Sequence, residues 1–152
     1  MRLIVDANVI FSGILNTQGK IGNIILNSGN KLTLLAPDYL RIEIFRLEDK
    51  LLRVSGMTAY ELREVESLLF SNVRFISPLQ IKQQYWAKSE KLVSKIDAND
   101  IPYIAYAYQF RCRLWSGDLV LKKGLERLGN NKVISTNEVA AFLEQTNGAK
   151  RK

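Results

Sequence analysis

Met1-Arg2-Leu3-Ile4-Val5-Asp6-Ala7-Asn8 opens the chain, and the reading of this stretch decides the fold. Leu3, Ile4 and Val5 form an unbroken apolar run. Such a run suits a strand covered on both faces, as inside a parallel sheet, better than a strand with one wet face. Asp6 stops it. A carboxylate that closes a buried strand is costly without a partner, so Asp6 is the first candidate functional residue. Asn8 either holds that carboxylate or shapes the turn behind it.

Working outward, the same unit recurs. Ile10, Ile14, Ile21, Ile24, Ile25 and Leu26, interrupted by Gly13 and Gly19, predict two short helices over 9–28. Leu32 to Ala36 reads as a second strand, stopped by Pro37. Leu40, Ile44, Leu47 and Leu51 keep helical spacing and predict one helix over 39–54, capped by Asp38 and closed by Ser55-Gly56. Thr58 and Glu61 have capping-box spacing for a helix to about Phe70. Val73 to Ile76 is a third strand. A helix over 80–94 follows, then one over 101–111 with Pro102 in its first turn. A strand over 112–116, a helix over 119–128, a strand over 132–134 and a helix from Ser135 to about Gln145 complete the chain. Strands alternating with helices predict an α/β fold: a three-layer α/β/α sandwich around a central parallel sheet of about five strands. Neither a repeat nor a linker divides it. Residues 1–147 read as one domain and 148–152 as a disordered basic tail.

Composition narrows the chemistry. The chain has 152 residues and a net charge of +7, a balance that favours a polyanionic partner such as RNA. The single cysteine, Cys112, permits no intrachain disulfide and fits a reducing compartment. There is no histidine, which excludes Ser-His-Asp and Cys-His catalysis and His-ligated zinc. The N-terminal apolar run is too short for a signal peptide, and no run reaches membrane-spanning length, so the expected location is cytoplasmic.

The remaining chemistry lies with carboxylates. Asp6 ends strand one, Asp118 follows strand four, Asp97 and Asp100 open the helix that leads into strand four, and Glu43 lies one turn into the helix after strand two. In a parallel sheet these positions fall on one edge, where functional groups of α/β proteins collect. Carboxylates crowded in one cleft raise each other's pKa, and a divalent cation removes that penalty. An all-oxygen ligand set suits Mg²⁺ or Mn²⁺. Each acid also has a structural reading. Asp118 and Asp100 are placed to cap helices, Asp97 competes with Asp100 for the same helix start, and Glu43 reads as a solvated helix glutamate with Glu48 close by.

The ordered set resembles the PIN-domain family. Asp6-Ala-Asn-Val9 is similar to its opening motif, Pro37-Asp-Tyr-Leu-Arg-Ile-Glu43 to its second, Asp97-Ala-Asn-Asp100-Ile-Pro-Tyr-Ile-Ala105 to its third, and Leu114-Trp-Ser116-Gly-Asp118 to its fourth. The resemblance covers residue 1 to about 145. It implies a Mg²⁺- or Mn²⁺-dependent ribonuclease working through metal-activated water, frequent homodimers, and in many single-domain bacterial members a toxin held in check by a small antitoxin. Carried over residue by residue, it implies catalytic and metal-binding roles for Asp6, Glu43, Asp100 and Asp118. Asp97 becomes an additional ligand, and Asn8 and Ser116 become supporting residues. The Asp-x-x-Asp form at 97–100 departs from the common toxin form, which has one aspartate there.

Candidate RNA contacts are Lys20, Arg41, Arg46, Lys122, Lys123 and Arg127. Tyr103, Tyr106 and Trp115 lie near the motifs, and core packing is their expected role. Two other classes stay open. One is a non-catalytic RNA-binding or protein-interaction module on the same fold. The other is an aspartate-based phosphatase, although Asn8 stands where a haloacid-dehalogenase-like Asp-x-Asp motif would need its second acid.

Overall fold

A computed structural model describes residues 1–150. Five strands form one all-parallel sheet: β1 (Arg2–Val5), β2 (Thr33–Pro37), β3 (Val73–Ile76), β4 (Arg113–Trp115) and β5 (Val133–Ile134), in the order β3-β2-β1-β4-β5. The first strand is therefore the central one. Leu3, Ile4 and Val5 are completely buried, as an unbroken apolar run on an inner strand requires. From β1 the chain builds outward to β2 and β3 on one side, then crosses to place β4 and β5 on the other. Val5 lies opposite Trp115, and the Asp6 amide donates to the Trp115 carbonyl at 3.0 Å, which carries the β1–β4 ladder one residue past the strand end.

Nine helices cover the sheet among the described residues: α1 (Ala7–Leu15), α2 (Lys20–Asn27), α3 (Tyr39–Arg46), α4 (Glu48–Ser55), α5 (Ala59–Phe70), α6 (Gln83–Val93), α7 (Ile101–Gln109), α8 (Leu119–Arg127) and α9 (Thr136–Lys150). Helix α7 packs on β1, β2 and β4, with α6 against it, whereas α1 gathers α2, α3, α4 and α5. The result is the expected three-layer sandwich. Both expected capping boxes are present. Thr58 Oγ1 accepts from the Glu61 amide at 3.1 Å, and Ser135 Oγ accepts from the Glu138 amide at 3.2 Å. No helix is long and apolar enough to cross a membrane among the described residues.

Two expectations about the helices change. The single helix over 39–54 is two: Leu47, at φ −95° and ψ 6°, breaks it between α3 and α4. The apolar spacing runs through the break, so periodicity alone does not reveal it. Helix α9 continues past Gln145 to Lys150 and takes in the start of the segment read as a tail, while residues 151 and 152 lie outside the described residues.

Candidate functional site

The switch from β1–β2–β3 to β4–β5 opens a crevice beyond the carboxyl ends of β1 and β4, the place where ligands of open parallel sheets bind. A cavity of about 360 Å³ lies there, lined by Asp6, Asn8, Glu43, Asp97, Asp100 and Asp118 with Phe11, Leu47, Lys50 and Tyr103 among their neighbours. All five acids singled out in the sequence thus meet in one place. Glu48 does not: it faces a separate cleft with Arg41, Arg63 and Glu66. The helix geometry explains the choice. Glu43, Leu47 and Lys50 follow one another at four- and three-residue steps and share a face, and Arg41, Ile44 and Glu48 share another.

Asp6 is 6% exposed. Its Oδ2 accepts from the Ser116 hydroxyl at 2.6 Å. That hydroxyl oxygen in turn accepts from the Asp118 amide at 3.1 Å and from Asn8 Nδ2 at 3.4 Å, while the Gly117 amide donates to Asn8 Oδ1 at 3.4 Å. Ser116 therefore uses its one donor and both lone pairs. It ties the end of β1 to the loop after β4. Burial pushes the Asp6 carboxyl up, against the opposing pull of Ser116 and the amides of Asn8 and Ala7, and nearby Asp118 adds to the rise.

Glu43 is held differently. Its Oε1 accepts from the Tyr103 hydroxyl at 2.6 Å. Burial raises its carboxyl, the Tyr103 bond lowers it, and Asp6 raises it again. Tyr103 is core-packed as expected, yet its hydroxyl reaches the cavity, a role that sequence analysis missed. Asp118 and Asp97 satisfy their structural readings: Asp118 Oδ1 caps α8 through the Leu121 amide at 3.0 Å, and Asp97 Oδ1 accepts from the Asn99 amide at 2.9 Å. Each leaves its second oxygen free of those bonds.

Asp100 is the exception. It precedes α7 without capping it, and its buried Oδ2 has no hydrogen-bond partner. Its carboxyl is pushed up to about 7, first by burial and then by Asp6, Asp97, Asp118 and Glu43. A buried polar atom left unpaired costs on the order of 1–3 kcal/mol and calls for an explanation. Asp97, Asp100 and Asp118 each offer an oxygen, and these atoms lie within 4.8 Å of one another. An oxygen-only set with an orphaned buried carboxylate among its members fits a hard divalent cation.

The basic candidates do not converge on this cavity. Lys20 donates to Asn137 Oδ1 at 2.6 Å and lines a groove between α2 and α9. Arg41 stacks on Phe75 at 3.8 Å from the ring centre, and Arg46 donates to the Tyr39 hydroxyl at 3.2 Å. Lys122 pairs with Glu126 at 2.9 Å and Glu138 at 3.0 Å. Lys123 and Arg127 are exposed on α8. The cation that does line the cavity is Lys50, which sequence analysis passed over because it sits among the charges of an ordinary helix surface.

No curated protein matches the sequence. A chain of the solved VapBC2 structure from Rickettsia felis, bound to a DNA fragment from its promoter, shares the fold at a TM-score of 0.62 and 15% identity, over 89% of this chain and 98% of that one. The family model for the PIN domain matches residues 4–143, a span that holds all five acids. With that match over nearly its whole length, and with its acids gathered at the switch point of a parallel sheet, the chain belongs to the PIN-domain family.

Proposed function

We propose that the protein is a divalent-metal-dependent endoribonuclease and the toxin of a toxin–antitoxin pair. The observation that carries this reading is the orphaned, buried Oδ2 of Asp100 in a cavity with four other carboxylates. Asp6, Glu43, Asp97, Asp100 and Asp118 would hold Mg²⁺ or Mn²⁺. When bound, such an ion neutralises the crowded acids, lowers the pKa of water and stabilises charge on a scissile phosphate.

The chain's own residues supply the preorganisation. Ser116 fixes one oxygen of Asp6 and Tyr103 fixes one oxygen of Glu43, so each acid presents its second oxygen from a held position. The Leu121 amide does the same for Asp118. Asn8 steadies Ser116 and the Gly117 amide. The net charge of +7 supports an RNA substrate despite the acidic cavity. The likeness to a chain of a VapBC2 structure supports an antitoxin partner; a homodimer and a cytoplasmic location are part of the same reading.

The test is cleavage of defined RNAs by wild type and Asp6→Asn, with Mg²⁺ or Mn²⁺ and with chelator. Cleavage that requires the ion and collapses in the variant is expected. Cleavage that survives chelator or the substitution refutes the enzyme reading. Absence of any heat of Mn²⁺ binding favours the non-catalytic module instead. For the toxin role, expression should arrest growth, and Asp6→Asn should relieve the arrest.

A further inference from the structure

Five carboxylates and one ammonium face the cavity, and the ammonium, Lys50, bonds to none of the carboxylates. Among the described residues the ion pairs are those of Lys122 with Glu126 and Glu138. A lysine beside a crowd of unpaired acids would ordinarily swing in to neutralise one of them. Lys50 instead stands with Nζ 5.4 Å from the centre of the Phe11 ring, and Phe11 also lines the cavity. The negative face of the ring gives the ammonium a resting place apart from the acids. Its placement follows from α4: Lys50 shares a helix face with Leu47 and Glu43, and the break at Leu47 continues that face without turning it away.

We propose that Lys50 is an RNA-contacting residue, which binds a phosphate flanking the scissile bond at the lip of the cavity. This inference rests on the ribonuclease reading. Lys50 is exposed, outside the acid cluster, and held by a contact that a phosphate oxygen can replace. Once cations fill the acid set, the ammonium no longer faces uncompensated carboxylates and becomes a positive charge on the substrate path. A flanking phosphate is touched alike in ground and transition states, so Lys50 serves KM and leaves kcat nearly unchanged.

The experiment uses the full chain, a fluorescent single-stranded RNA and a salt series. Binding is read by anisotropy in Ca²⁺, turnover in Mn²⁺, and Mn²⁺ affinity by calorimetry. Lys50→Gln should weaken RNA binding on the order of fivefold near physiological salt. It should lower the slope of log affinity against log salt by about 0.7, as loss of one phosphate contact to a single strand does. KM should rise with kcat within about twofold. Lys50→Arg should restore most of the binding, and Mn²⁺ affinity should not change in either variant. Unchanged RNA affinity and salt slope in Lys50→Gln overturns the inference. So does a fall in kcat at constant KM, or a loss of Mn²⁺ affinity. If wild type binds no RNA, both the inference and the ribonuclease reading fall. If Asp6→Asn abolishes cleavage while Lys50→Gln matches wild type, only the role of Lys50 falls.

Discussion

Two hollows of similar size lie on this molecule, and they handle polar groups in opposite ways. The groove between α2 and α9, of about 300 Å³, carries lysines and asparagines that bond to amide side chains, and a single acid, Glu144, which is exposed to solvent. Lys20 donates to Asn137, Lys31 to Asn147, and Asn27 Nδ2 to Asn23 Oδ1 at 2.5 Å. The strand-end cavity, of about 360 Å³, gathers five acids, and its one cation bonds to none of them. One hollow is locally content. The other stores unfavourable electrostatics that the rest of the fold must offset. Native proteins keep such local conflict where a ligand resolves it, and the proposed chemistry is assigned to the second hollow on that ground.

Substitutions can break or sharpen this contrast. The largest effect belongs to Asp6→Asn, which should reduce metal-dependent RNA cleavage on the order of a thousandfold or more while the fold persists by circular dichroism. A residual activity near wild type would remove the acid cavity from the chemistry.

Next comes Asp100→Asn, whose effect depends on pH. The folded-state carboxyl of Asp100, near 7, lies above its ordinary value. The stability that this group contributes is therefore fully present below its ordinary value of 3.8 and is lost progressively as pH rises from there to about 7. In chelator at pH 8, Asn in its place should raise stability on the order of 1–2 kcal/mol and Tm by a few degrees, with a smaller gain at pH 5. Wild-type Mn²⁺ affinity should climb as pH rises to about 7 and level off above it, because the proton and the ion compete for Asp100. Thermal melts and calorimetry at both pH values test this; identical melting profiles for the two proteins would remove the conflict at Asp100.

Tyr103→Phe should have a smaller effect. Glu43 loses the bond that holds its carboxyl down, so Mn²⁺ affinity should fall about tenfold and its pH dependence should move upward. Unaltered metal affinity would limit Tyr103 to packing. Smallest of all, Asn27→Ala in the α2–α9 groove should change stability by no more than about 0.5 kcal/mol and leave cleavage as in wild type. A large loss of activity there would erase the contrast.

Much of this was legible in the sequence, for reasons that differ by element. Strands announce themselves through short apolar runs bounded by Asp6, Pro37 and Pro78, and the layered α/β architecture follows from their alternation with helices. The four aspartates were legible because each sits at an element boundary, where parallel strands bring distant segments together. The choice of Glu43 over Glu48 was not. It depends on which face α3 turns to the sheet edge, and tertiary packing at the Leu47 break sets that. Lys50 and the Tyr103 hydroxyl were hidden for a related reason. A surface lysine and a core tyrosine are the commonplace forms of both residues, and only the three-dimensional neighbourhood separates them from the rest.

The central position of β1 has a consequence in time. The ribosome makes Asp6 110 residues before its hydroxyl partner Ser116, and its neighbour Asp118 follows Ser116. Until β4 slots in beside β1, with Trp115 opposite Val5, the cavity has no second wall. A nascent or prematurely terminated chain that ends before this pairing therefore carries three strands and four of the five acids but no assembled centre, and the order of synthesis withholds whatever the centre does until β4 and Asp118 are in place.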